Sequence, residues 1–164
     1  MYSVLDIARF IINYANRRGF VISNLKLQKI LYFVQAFFLV NSHGNTPCFD
    51  EEIEAWDFGP VVPIVYHEFK QFGSGPIPVV ERYVSWEDRI SIWNARTIEF
   101  NENIIAPDDR HNIELVVDEF SQYSAYQLVQ LTHKQSPWID AFRNASQGTN
   151  VISKDSIFHY FHHE

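Results

Sequence analysis

The stretch Ile53–Tyr66 constrains this chain most, because it places Gly59, Pro60 and Pro63 within five positions of one another. Trp56 and Phe58 are two apart, the spacing of residues that share one face of a strand. Gly59-Pro60 is predicted to end that strand, since proline has no amide to give a ladder. Val62 precedes a proline and stays extended. Pro63 carries the fixed φ of a first helical turn. A helix is therefore predicted from about Val61–Pro63 to Phe72, with Gly73 as its stop. The chain has to turn a corner here, from strand into helix, and Gly59, Pro60 and Pro63 are the residues that shape it.

On the N-terminal side, Val4, Ile7, Ala8, Ile11, Ile12 and Ala15 recur at helical spacing, predicting a helix capped by Ser3 and running to about Arg18 before Gly19. Ser23 or Asn24 caps a second helix, Leu25 to about Val40. Its apolar stripe is Leu27, Ile30, Leu31, Val34 and Phe38, while Gln28, Tyr32 and Gln35 mark another face. Phe33 and Phe37 widen the apolar side, so this helix is predicted to be central. That other face has two readings, core with satisfied polar tips or a mixed aromatic-polar groove against Trp56 and Phe58.

After the corner, Ile77–Tyr83 suits a short strand, Trp86, Ile90, Ile92 and Trp93 suggest a short helix, and Thr97–Phe100 a strand. Helices are predicted from Asp108 to about Tyr123, after a Ser124 cap, after a Ser136 cap with Pro137 in the first turn, and from Ser153 to Phe161. No repeat, low-complexity tract or linker breaks the 164 residues. The fold class expected is mainly α (α+β): one helical domain over residues 1–164 with a small β-hairpin or short sheet.

Composition limits the function. Hydrophobic residues make up 46% and aromatics 16%, a globular balance. A single cysteine, Cys48, excludes an internal disulfide and agrees with a reducing, cytoplasmic setting. Asp6 and Arg9 interrupt the first apolar stretch, so no signal peptide is read, and no apolar run approaches a membrane span. Residues 1–46 hold five basic side chains and one acidic one, net +4, whereas the remaining 118 carry net −11, for −7 in all. An acidic body disfavours direct nucleic-acid binding and suits either solubility or a basic protein partner. Lys26 and Lys29, three apart, are explained by one solvated helix face.

Catalytic chemistry is thinly represented. There is no GxSxG, P-loop or GxGxxG pattern. Glu54, Asp57 or Glu68 could serve acid–base catalysis, but none has a partner at a diagnostic spacing, and a hydrolase-like enzyme would draw on Glu54, Asp57 or His133. Thr132 reads as bonding a backbone carbonyl of its own helix, and His133 as meeting that helix's C-terminus. His159, His162 and His163 stand at i, i+3 and i+4, short of the three or four convergent ligands that zinc requires, so no metal and no cofactor is expected.

Three ordered stretches carry a resemblance: Leu25-Lys26-Leu27-Gln28-Lys29-Ile30-Leu31-Tyr32-Phe33-Val34-Gln35, then Ile53–Tyr66, then Phe69-Lys70 with Gly73. With Ser124-Ala125, Leu128, Thr132-His133 and Pro137-Trp138 they look like the Panacea domain of SocA-like antitoxins, often described as phage-associated proteins. The matching segments span roughly residues 4–143. Ile30 stands where leucine is usual and Phe58 where tyrosine is usual. The resemblance implies a mainly helical domain and an antitoxin that neutralises a cognate protein toxin by direct contact, without catalysis or cofactor. A phage-encoded regulator or protease adaptor is the alternative, and a hydrolase-like enzyme through Glu54, Asp57 and His133 a second one. Candidate partner-binding residues are Lys26, Gln28, Lys29, Tyr32, Glu54 and Trp56, with Gly59, Pro60 and Pro63 as the structural corner. Residues 76–110 match the family least and are the expected variable surface.

Overall fold

A computed structural model of the chain describes residues 1–86 and 95–163. Its axis is α2 (Asn24–Asn41), whose buried residues lie on nearly every side of the helix. A helix apolar around most of its circumference is stable only in an interior, and this one is surrounded. It packs against α1 (Val4–Arg17), α3 (Pro63–Phe69), α4 (Pro107–Phe120), α5 (Ala125–Thr132) and α7 (Lys154–His162), while α6 (Ser136–Asn144) rests on α7 and the sheet. Leu27, Ile30, Leu31 and Val34 of α2 and Ile7, Ile11 and Ile12 of α1 are fully buried. The described residues thus form seven α-helices and two small antiparallel sheets, the mainly α, α+β class that the spacing predicted. None of these helices is long and apolar enough to cross a membrane.

Caps fall where serines precede the helices. Ser23, Ser124 and Ser153 each accept a backbone N–H, and Ser124 forms a reciprocal capping box with Gln127. Two predicted caps differ: the Ser3 side chain makes no capping bond, and Ser136 is already helical, behind Gln135 at the N-cap. Pro137 still occupies the first turn.

The corner is folded differently from the single strand predicted. β1 (Ile53–Trp56) reverses at Asp57-Phe58 and returns as β2 (Gly59–Val61), pairing Glu54 with Val61, Ala55 with Pro60 and Trp56 with Gly59. Gly59-Pro60 therefore opens a second strand instead of ending the first. Proline is admitted because β2 is a sheet edge, the strand order being β2-β1-β5 with β5 at Val151–Ile152. Ala55 sends its own N–H the other way, to Asn150 O at 2.8 Å. Ala55–Pro60 is thus a pair whose amides face apart, and the missing proline donor removes no ladder bond. Gly59 takes φ +103°, a left-handed region open to glycine without penalty. Residue alternation carries no signal of a reversal between two adjacent residues.

Pro63 opens α3 as predicted; α3 stops at Phe69, and a 3₁₀ turn, Lys70–Phe72, carries the chain to Gly73 at φ +56°. A second hairpin, β3 (Arg82–Trp86) and β4 (Ala95–Glu99), pairs Tyr83 with Ile98 and Ser85 with Arg96. It leans on α1 through the Arg9 guanidinium, 3.4 Å from the centre of the Tyr83 ring. The strand predicted at Ile77–Tyr83 begins only at Arg82. The short helix predicted around Ile90, Ile92 and Trp93 lies outside the described residues.

Candidate functional site

The site lies where the first hairpin crosses α2, and the polar residues of α2 brace it from below. Asn24, Gln28 and Gln35 fall on one side of the helix at intervals of four and seven, and all are buried. Gln28 Oε1 accepts the Val62 amide at 2.9 Å, and its Nε2 donates to Asn24 Oδ1 at 2.9 Å. Asn24 Nδ2 in turn donates to the Tyr66 carbonyl at 3.0 Å. Two buried amides thereby bond the backbone on both sides of the Pro63 turn. Gln35 does the same further along α2: it donates to Phe49 O at 2.8 Å and accepts from Cys48 N at 2.8 Å.

Lys29 is fully buried, and its Nζ donates to Pro60 O at 3.1 Å. Burial, with no carboxylate partner among the described residues, pushes its pKa down to about 7. Lys26 is also buried, donating to Ser121 O at 2.7 Å, with its pKa lowered by the same desolvation. The solvated face predicted for this pair is therefore corrected: α2 is enclosed on that side by the hairpin and by the chain after α4. Tyr32 is fully buried, its hydroxyl donating to Gln135 Oε1 at 3.0 Å. All three residues of the Gln28-Tyr32-Gln35 face are buried with satisfied polar tips, and Gln28 also lines a groove with Trp56 and Phe58.

From above, α5 and α6 hold the hairpin turn. Trp138 Nε1 donates to the Trp56 carbonyl at 2.9 Å, and a ring nitrogen of His133 lies 3.0 Å from the Asp57 carbonyl. The His133 and Trp138 rings stack at 4.1 Å, and Trp138 stacks on Phe142 at 4.6 Å. His133 thus binds the hairpin and not its own helix end. Thr132 behaves as predicted, bonding Leu128 O and Val129 O at 3.0 and 3.1 Å. Asn24, Gln135 and the Trp138 indole are the positioning residues that spacing did not single out, since each acts across long sequence separations.

The exposed product is an open groove of about 710 Å³ beside the turn. Trp56, Phe58, Tyr66 and Phe142 bring aromatic rings to it from four elements. The Trp56 and Tyr66 rings meet edge to face at 5.0 Å. Phe58 is 66% exposed. Trp56 Nε1 donates to Glu54 Oε2 at 2.7 Å, joining the two candidates that the first hairpin contributes. Lys26, Gln28, Lys29 and Tyr32, the other four candidates, lie beneath or beside the corner, so the residues that reach solvent there are Trp56, Asp57 and Phe58.

As a catalytic arrangement the same residues are poorly matched. Glu54 is engaged with an indole, and His133 meets the main chain of Asp57 and not its carboxylate. Burial raises the Cys48 thiol well above its ordinary pKa, the opposite of nucleophile activation. Among the described residues no group of three or more His, Cys, Asp or Glu side chains could hold a metal ion.

A family model described as antitoxin SocA-like, Panacea domain, matches residues 27–139, a span that begins in α2, contains the whole corner and ends in α6. The chain belongs to this family. It is also 34% identical over 150 residues to antitoxin SocA of Caulobacter vibrioides (strain NA1000 / CB15N), covering 88% of this chain and 72% of that protein. No solved structure matches the chain. The Panacea match takes in Lys29, Gly59, Thr132 and Trp138, the residues that lock the hairpin between α2, α5 and α6.

Proposed function

We propose that this chain is an antitoxin that neutralises a cognate protein toxin by binding it directly in the cytoplasm, with no catalytic step and no cofactor. The observation that carries the proposal is the family membership, joined to a relative named as an antitoxin that aligns over most of both chains. The geometry favours contact over chemistry. The hairpin presents an aromatic, solvent-open surface on a rigid support, whereas Glu54, Asp57 and His133 do not converge as an acid–base set.

Co-expression with the protein encoded by the adjacent gene tests this. The neighbour alone arrests growth, this chain restores it, and the two proteins co-purify. Restoration requires stoichiometric amounts of this chain; rescue at far lower amounts points to an enzyme. A harmless neighbour, or no rescue, removes the proposal. A bound neighbour whose level falls in a protease-dependent way marks an adaptor instead of a mask.

A further inference from the structure

We propose that the groove beside the first hairpin seats an apolar side chain of the protein partner, with a lysine or arginine of that partner next to it meeting Asp57. The inference rests on the antitoxin reading for the existence of a protein partner, and it names the surface and its chemistry.

Four observations support it. First, Phe58 is 66% exposed at a hairpin tip whose backbone is held from behind, by Trp138 on Trp56 O and His133 on Asp57 O. A large aromatic held outward on a fixed turn is a pre-organised anchor, which loses little conformational freedom when it is covered. Second, the groove is apolar in its recognition chemistry. Gln28 and Asn24 line its floor, but their amides are bonded to each other, to Val62 and to Tyr66, so they make few demands on an occupant.

Third, the charge is one-sided. Among the described residues, Asp57 is the single charged one lining the groove, and no cation lines it. The Asp57 carboxylate has no ion-pair partner among the described residues. An exposed, unpaired carboxylate beside an apolar trough selects a cation next to an apolar anchor and repels an acidic one. Fourth, the chain as a whole is acidic, with net charge −7. Long-range steering therefore favours the same basic partner.

The test measures affinity between the full-length chain and the adjacent gene's product by calorimetry, at low and at physiological salt. Phe58→Arg and Phe58→Ser are each expected to weaken binding by about 30-fold or more, the loss associated with a binding hot spot. Asp57→Lys is expected to weaken it about 5- to 10-fold at low salt, with a smaller difference at physiological salt. All three residue changes sit on exposed positions, and melting temperatures within a few degrees of the parent confirm folding. A parent chain that does not bind its neighbour overturns the antitoxin reading and this inference with it. A parent that binds while all three variants bind within twofold overturns this inference alone. A homodimer of the free chain that Phe58→Arg dissociates also overturns it, assigning the groove to a second copy.

Discussion

Gly59 lies directly against Lys29. A Cβ built on Gly59 would stand 2.6 Å from Lys29 Cε and 2.8 Å from Thr132 Oγ1, distances no real side chain tolerates. The same glycine has φ +103°, so backbone and packing both require a bare Cα here. The hairpin comes close to Lys29 of α2 and Thr132 of α5 at this position.

Gly59→Ala should therefore destabilise the chain by about 2–4 kcal/mol, combining left-handed strain with overpacking. The melting midpoint falls by roughly 5–15 °C in a thermal scan. A midpoint unchanged from the parent would show that the hairpin does not need this close approach.

Lys29 predicts a pH dependence of stability. Its folded pKa, about 7, lies below the ordinary lysine value. Below pH 7 the ammonium is charged in both folded and unfolded states, and the full cost of burying it opposes folding. Between pH 7 and about 10 the unfolded chain binds the extra proton, so stability rises with pH. The gain from pH 7 to pH 9 is roughly 2 kcal/mol, read from urea midpoints. Subtracting the same curve for Lys29→Met isolates the effect, and a variant with an unchanged slope would assign the dependence elsewhere.

Gln28→Leu leaves the Val62 amide and Asn24 Oδ1 without their partner at a buried corner. The expected cost is about 1–3 kcal/mol despite the similar side-chain volume. Gln28→Glu keeps the acceptor for Val62 but introduces a buried charge, and should cost at least as much at neutral pH. Denaturant titration of the two variants checks both, and parent-like stability in Gln28→Leu would remove the bracing role.

Trp138→Phe keeps a ring in the stack with His133 and Phe142 but loses the bond to the Trp56 carbonyl. About 1 kcal/mol of stability is expected to go with it. Faster amide exchange should be confined to the turn around Asp57-Phe58 and measurable by hydrogen–deuterium exchange mass spectrometry. Uniformly faster exchange would indicate a general loss of packing instead.

Much of the helical scaffold is legible without coordinates. The 3.6-residue periodicity of α1 marks its buried face, and the apolar stripe of α2, widened by Phe33 and Phe37, marks a central helix, because burial demands a matching face. Ser23, Ser124 and Ser153 mark helix starts through a local bond between a side chain and a nearby amide. β5, two residues long at Val151–Ile152, leaves no such pattern. The turn at Asp57-Phe58 is equally hidden, since Trp56 and Phe58 satisfy strand alternation whether or not the chain reverses between them.

The amino-acid sequence by itself determined the family, the helical class and the importance of Ile53–Tyr66, all of which depend on local propensity and ordered motifs. Only the tertiary structure decided that Lys26, Gln28, Lys29 and Tyr32 are buried while Asp57 and Phe58 face solvent. Burial is a property of what packs over a residue. The groups that cover this side of α2 come from far along the chain, Pro60 lying 31 residues beyond Lys29 and Gln135 lying 103 beyond Tyr32. Spacing along one helix records which residues share a face, but not what will lie upon it.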